Sequence, residues 1–251
     1  DNFVIGSGGN IDSIDGVSGG NNSLTARDTD NEWDVSGANS GILYQDNAAA
    51  NFGASYVDSF SNIESLIGSD NNLDIFVMGT TGSITSIDGG NDSNNTLVAR
   101  DLANEWHITG ENGGILYLDN AATGFSGAYV NSFSNIQHLS GSESFLDIFV
   151  MATGSSIDTI DAGSDGDNTL IARDADNEWH ITGNNSGVLY QDNTADGFGV
   201  SYVDSFTDIQ TLIGNSNIDN FVIGSGGNID SIDGGSGGNN SLTARDTDNE
   251  W

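Results

Sequence analysis

The sequence predicts an all-β chain, a parallel β-solenoid of the right-handed β-helix type, on three observations. One passage is written three and a half times: Asp1-Asn2-Phe3-Val4-Ile5-Gly6 returns from Asp74, from Asp147 and from Asp219, at spacings of 73, 73 and 72 residues. Within each unit, short apolar clusters are separated by Gly, Asn, Asp and Ser about every ten residues, the pattern of short strands closed by turns. The chain has 35 glycines and no proline. Proline cannot donate to a ladder, so its absence suits strands paired on both sides. A fixed period of this length reads as a stack in which each unit buries its apolar face on its neighbours.

The period divides the chain into repeat 1 (1–73), repeat 2 (74–146), repeat 3 (147–218) and a partial repeat 4 (219–251), expected to form one continuous solenoid. Residues 1–33 match 219–251 at 32 of 33 positions, the exception being Val17 against Gly235, but match 74–106 at only 19. Three repeats therefore form a larger block that starts again, and the expectation is a chain that continues on both sides. A string of small β-sandwiches is the rival architecture. A unit of 73 residues without disulfides buries little surface alone, and no linker separates the units.

In repeat 2 the elements read in order as Ile75-Phe76-Val77-Met78, Ile84 with Ile87, Leu97-Val98-Ala99, Trp106-His107-Ile108, Ile115-Leu116-Tyr117, Tyr129-Val130, and Ile136 with Leu139. Each is a short run rich in β-branched or aromatic residues, bounded by turn formers, and reads as a strand. One segment admits two readings. Tyr56, Val57, Phe60, Ile63, Leu66 and Ile67 fall at helical spacing. The same stretch is filled with Ser, Asn and Asp, which compete with the helical backbone, so a strand, a turn at Ser61-Asn62 and a second strand explain it as well. Coils of about 24 residues, stacked at about 4.8 Å, would give about three coils per repeat.

Composition narrows the function. The 37 acidic residues face four arginines and no lysine, for a net charge of -33. Such a field repels nucleic acid and anionic membrane and attracts cations. Cysteine is absent, so there is no thiol nucleophile, thiolate metal site or disulfide. An acidic chain rich in Gly, Ser, Asn and Asp also fits low-complexity disorder, but here the apolar punctuation persists through every repeat.

The most constant block is Arg27-Asp28-x-x-Asn31-Glu32-Trp33, which recurs as Arg100, Glu105 and Trp106, as Arg173, Glu178 and Trp179, and as Arg245, Glu250 and Trp251. It holds every Arg and Trp of the chain. As a structural element, Arg would pair with Glu or Asp and pack on Trp. As a ligand groove, Arg beside carboxylates and a row of Trp platforms would hold a sugar. A block copied in every repeat is more economically structural. His107 and His180 follow Trp where repeat 1 has Asp34, and His138 is matched with Glu64 and Gln210, so these positions read as solvated. No Ser/His/Asp arrangement and no metal-ligand His spacing can be assembled.

Gly-rich acidic turns carry Asp15, Asp88, Asp161 and Asp233 and lead to Leu24, Leu97, Leu170 and Leu242. Gly234-Gly235-Ser236-Gly237-Gly238-Asn239-Asn240-Ser241-Leu242 here resembles the nonapeptide of the calcium-binding β-rolls of repeats-in-toxin proteins. That resemblance implies Ca²⁺ held at turn Asp residues and backbone carbonyls. The chain departs from the pattern by placing Asn22, Asn95, Asn168 and Asn240 at the ligand position, and the turn from Gly68 to Asp74 loses a residue in its copy from Gly214 to Asp219. Asn is a neutral, weaker calcium ligand, so no cofactor is required, and Ca²⁺ is the one the turns are candidates to take.

The phrase Phe-Ser-Asn-Ile-x-x-Leu-x-Gly, at Phe60–Gly68 and Phe133–Gly141, followed by Asp-x-Phe-Val, is similar to repeats of very large secreted bacterial surface proteins. These include repeats-in-toxin-type and filamentous-haemagglutinin-type adhesins and biofilm-matrix fibres. What this implies is an extracellular, cell-surface stalk, stiff and acidic, without enzymatic activity. Its partners would be adjacent repeats, other copies of itself in a fibre or matrix, and carbohydrate, with no membrane insertion in this segment. The alternatives are a self-assembling extracellular filament subunit and a carbohydrate-binding or polysaccharide-degrading β-helix.

Overall fold

Alternation in Asp74-Ile75-Phe76-Val77-Met78 puts Asp74, Phe76 and Met78 on one face of a strand, and these three are the buried ones. The same logic runs along the chain. The computed structural model describes residues 1–45, 53–92, 94–119, 127–164, 166–193 and 197–244, and within them it is all-β, without helix.

Repeat 1 supplies β1 (Asn2–Val4), β2 (Ile14–Asp15), β3 (Ser23–Thr25), β4 (Asn31–Gly37), β5 (Ser40–Gln45), β6 (Ser55–Ser61) and β7 (Ser65–Ile67). Repeat 2 supplies β8 (Asp74–Met78), β9 (Ile84–Asp88), β10 (Thr96–Val98), β11 (Asn104–Gly110), β12 (Gly113–Leu118), β13 (Ala128–Ser134) and β14 (His138–Ser140). Repeat 3 supplies β15 (Asp147–Met151), β16 (Ile157–Asp161), β17 (Thr169–Ile171), β18 (Asn177–Gly183), β19 (Ser186–Asn193), β20 (Gly197–Thr207) and β21 (Thr211–Ile213). From the partial repeat come β22 (Asp219–Ile223), β23 (Ser231–Asp233) and β24 (Ser241–Thr243).

Two mostly parallel sheets result. Among the described residues one has 11 strands in the order β1-β3-β7-β9-β13-β12-β11-β15-β17-β21-β23, the other 13 in the order β2-β6-β5-β4-β8-β10-β14-β16-β20-β19-β18-β22-β24. The chain visits them alternately. Asn2 pairs with Ser23 and Ser65 with Ser86 in parallel register, so the shorter circuit through both sheets takes 21 residues, while the longer one from Ser23 to its partner Ser65 takes 42. Inner side chains form unbroken columns: Phe3, Leu24, Leu66 and Ile87 are directly paired neighbours, as are Trp106, Phe149, Leu170, Leu212 and Ile232. Inner rows of both sheets belong to one hydrophobic cluster.

The segment with two sequence readings is strand, turn and strand. Asn62, Asn135 and Asp208 take the left-handed conformation, with φ of 54°, 55° and 56°, which Asn and Asp tolerate better than other side chains. Each ends a strand and turns the chain into the next.

The parallel expectation fails in one place per repeat. After Trp33, Trp106 and Trp179 the chain reverses twice within its sheet, making antiparallel meanders β4-β5-β6, β11-β12-β13 and β18-β19-β20. Their first turns are built on Asn39, Asn112 and Asn185, again left-handed. The middle strand needs Gly41, Gly114 or Gly187. A Cβ at Gly114 would stand 2.2 Å from the His107 carbonyl oxygen and 2.8 Å from the Phe133 ring, which lies over the glycine.

Candidate functional site: a recurrent Arg–Tyr–Asn–Asp array

The constant block folds into the same array in each described repeat. Trp33, Trp106 and Trp179 point inward and are 0% exposed. Each indole stacks on the Phe of the next parallel strand, Phe76, Phe149 or Phe221, with ring centroids 5.6 Å apart in all three. Each meets Phe60, Phe133 or Phe206 edge-on. None of these three indoles has a face open to solvent, so Trp33, Trp106 and Trp179 do not form a row of sugar platforms.

Among the described residues Arg packs on Tyr and not on Trp. The guanidinium of Arg27 lies 3.6 Å from the centre of the Tyr56 ring, that of Arg100 4.0 Å from Tyr129, and that of Arg173 3.7 Å from Tyr202. Its N–H groups donate to carbonyls of the preceding circuit: Arg27 to Gly9 at 2.6 Å, Arg100 to Gly82 at 2.9 Å, Arg173 to Ser155 at 3.3 Å. Among the described residues no Arg pairs with a carboxylate. The reason is direction: Trp alternates inward on its strand, while Arg sits six residues earlier, at the bend between sheets, where it lies over the ring of the meander's returning Tyr. Arg245, Glu250 and Trp251 lie outside the described residues.

The tyrosines carry the array inward. The Tyr56 hydroxyl donates to Asn31 Oδ1 at 2.7 Å, and Asn31 Nδ2 donates to Asp74 Oδ1 at 3.0 Å. Tyr129, Asn104 and Asp147 repeat this at 2.7 and 2.8 Å, and Tyr202, Asn177 and Asp219 at 2.6 and 2.8 Å. Asp74, Asp147 and Asp219 are fully buried with no cation beside them. Burial lifts Asp74 and Asp147 to about 6, against the opposing pull of hydrogen bonds from Ser69 and Asn31, and from Ser142 and Asn104. Asp219 is raised for the same reason. Trp33 Nε1 donates to Asp74 at 3.3 Å. The indole N–H groups of Trp106 and Trp179 also favour the charged forms of Asp147 and Asp219, without closing a hydrogen bond. Burial also raises all three tyrosines.

The loop shortened by one residue keeps part of this cradle. Ser69 and Ser142 donate to the second aspartate oxygen through backbone N–H and hydroxyl alike. In the short loop Asn215 supplies the N–H alone, at 2.9 Å.

The Gly-rich turns are closed by the protein itself. Asp15, Asp88, Asp161 and Asp233 each accept from the backbone N–H two residues on, at 2.9, 3.1, 3.2 and 2.9 Å. Asn62 and Asn135 add an amide donor to Asp15 and Asp88, and that bond, with the Val17 N–H, holds Asp15 below its usual range. Repeat 3 has Asp208 in the Asn62 place, raised by burial and by the charges of Asp161 and Glu143.

The asparagines at the calcium-ligand position bridge three circuits. Asn95 Oδ1 accepts from the Asp74 N–H, its Nδ2 donates to the Asn135 and Asp92 carbonyls, and its own N–H donates to Gln137. Asn22 and Asn168 do the same with Asn62 and Glu64, and with Asp208 and Gln210. Asn240 accepts from the Asp219 N–H. An aspartate there could not donate to those carbonyls, which is why the amide is required. The arrangement does not fit a calcium ion at these asparagines, because the carbonyl oxygens a cation would gather already receive N–H groups. Among the described residues no group of three or more His, Asp or Glu side chains is placed to hold a metal.

The histidines are half-buried and engaged. His107 meets Glu105 and His180 meets Glu178, both at 2.5 Å, and each ring packs on Tyr117 or Tyr190. Gln137, not His138, occupies the place of Glu64 and Gln210. His138 stands in the outward row and meets Thr159.

Sequence reasoning missed the tyrosines and the buried aspartates as members of the block, because the tyrosines lie 29 residues and the aspartates 46 or 47 residues from their Arg. Their signal was present: Tyr56, Tyr129 and Tyr202 recur with every Arg block whose repeat runs that far. Comparison with protein-family models, with curated proteins and with solved structures finds no match.

Proposed function

We propose that this chain is a structural segment, a stretch of β-solenoid serving as a stiff acidic stalk or fibre of an extracellular bacterial surface or matrix protein. One observation carries the reading. The residues repeated most faithfully, Arg, Trp, Tyr, Asn and Asp, are turned inward or onto neighbouring circuits and bond to one another. An enzyme or a binding module concentrates its chemistry in one departure from regularity, whereas here the Trp–Phe stacks, the Arg–Tyr contacts and the Tyr–Asn–Asp bonds recur in three repeats. Two sheets running through all the repeats supply the stiffness, since every circuit is clamped to the next by ladder bonds and by Asn bridges. The acidic surface keeps neighbouring rods apart at low salt. Secretion to a cell surface rests on the resemblance alone.

Imaging of the full-length protein by electron microscopy tests this. Continuous thin rods with layer lines near ~4.8 Å are expected, and compact particles or beads would overturn it. Calcium is not needed for the stack in this reading. Chelation should leave the melting temperature unchanged, and a large drop on chelation would show that the turns take an ion after all.

A further inference from the structure

Each meander puts two extra strands into one sheet and none into the other. Between β2 and β4 lie β6 and β5, whereas on the facing sheet β3 pairs directly with β7. Two strands at about 4.8 Å add about 10 Å to one face of a stack whose sheets are about 10 Å apart. Absorbed as curvature, that is a wedge of roughly one radian. A stalk that repeated it on one side would close into a ring.

The chain avoids this by counting. Repeat 1 makes five sheet visits (β1, β2, β3, the β4–β6 meander, β7), and repeats 2 and 3 do likewise. Because two visits make a circuit, an odd number turns each repeat half a circuit from the last. The β4–β6 meander therefore falls in the 13-stranded sheet, β11–β13 in the 11-stranded sheet, and β18–β20 in the 13-stranded sheet again. We propose that the odd number of sheet visits per repeat is a straightening device, placing successive meanders on opposite faces so that each wedge cancels the one before. This rests on the stacked-rod reading above. It also makes the structural period two repeats, with the Glu–His pairs of Glu105–His107 and Glu178–His180 facing opposite ways.

Among the described residues one wedge is left uncancelled, since one sheet has 13 strands and the other 11. Two deletions of equal length separate the alternatives. Removing residues 34–57 joins Trp33 to Asp58, with Trp33 in the place of Val57, its partner two strands away through Leu43. This equalises the sheets. Removing residues 107–130 joins Trp106 to Asn131 in the same manner and doubles the imbalance. Small-angle scattering and electron images should show the first variant straighter than the unaltered chain and the second more bent, by tens of degrees. Equal curvature in both would overturn the inference while leaving the rod intact, and the absence of rods in the unaltered chain would overturn the reading beneath it.

Both deletions remove a Tyr that an Arg stacks on, so an addition keeps the test open should they fail to fold. Appending a copy of residues 34–73 after Trp251 continues the passage that 219–251 begins. It adds three strands to the 11-stranded sheet and one to the 13-stranded sheet, equalising them without disturbing any contact. The extended chain should be straighter than the unaltered one, and unchanged or increased curvature counts against the proposal.

Discussion

Residues 1–25 and 219–243 have the same sequence except at Val17 and Gly235, and they live in different surroundings. β1, β2 and β3 lie in the 11-, 13- and 11-stranded sheets, whereas β22, β23 and β24 lie in the opposite ones. Leu24 is 0% exposed, because β7 covers it, while Leu242, its twin, is 43% exposed in the last strand of its sheet. At the other face the order reverses: Phe221 is packed between Trp179 and Leu242, and Phe3 has a neighbour on one side alone. A circuit of this fold has no interior of its own. Its burial is supplied by the circuits before and after it, so identical sequences differ in stability by position.

The largest effect expected from that contrast is in the leucines. Leu24→Ala should cost about 2–5 kcal/mol and Leu242→Ala less than about 1 kcal/mol, read as urea midpoints together with hydrogen-exchange protection of β3 and β24. Equal losses would mean that the last circuit is covered in solution.

Next in size is pH. Asp74 and Asp147 hold their protons more tightly folded than unfolded, about 6 against 3.8. Their contribution is therefore fully present below about pH 4 and is lost as pH rises through about 6, by about 3 kcal/mol each at most. Stability should fall between pH 4.5 and 7.5, and Asp74→Asn with Asp147→Asn should flatten that slope, measured as unfolding midpoint against pH. A slope unchanged by the double substitution would assign it to the acidic surface instead.

The single difference between the two passages gives a third test. Val17 holds φ at 62° and Gly235 at 73°, a region that costs a β-branched residue about 1–2 kcal/mol. A Cβ at Gly235 would also stand 2.3 Å from the Asn215 carbonyl oxygen, so Gly235→Val should cost about 2 kcal/mol or more. Val17, 63% exposed, meets no such clash, and Val17→Gly should gain about 1 kcal/mol. Thermal melts of the pair settle the sign.

The smallest expected effect compares repeats. Asp208 faces Asp161 where Asn62 and Asn135 donate to Asp15 and Asp88. Asp208→Asn should restore that bond and remove a like-charge contact, gaining about 1 kcal/mol in the same melts.

Much of the array was legible by type and not by partner. Gly68 shows the limit. Its spacing from Asp74 marks a turn, yet the reason for glycine is that a Cβ would stand 2.6 Å from the Asp74 carboxylate and 2.5 Å from the Gly89 carbonyl of the next circuit. Similarly, the Ser61-Asn62 turn could be read from residue chemistry, whereas the reversal at Asn112-Gly113 carried a hairpin signal that the prevailing parallel pattern obscured.

What the sequence determined by itself was the local part: strand positions, because alternation and turn residues act within a few positions; the equivalence of the repeats, because like sequence makes like contacts; and the polarity of the surface. What only the tertiary structure decided was which sheet each strand joins, which Tyr lies under each Arg, and how deeply an Asp or a Leu is buried. Those depend on partners 21 to 43 residues away, and on whether the count of sheet visits between them is odd or even. That count belongs to the path of the chain, not to any residue in it.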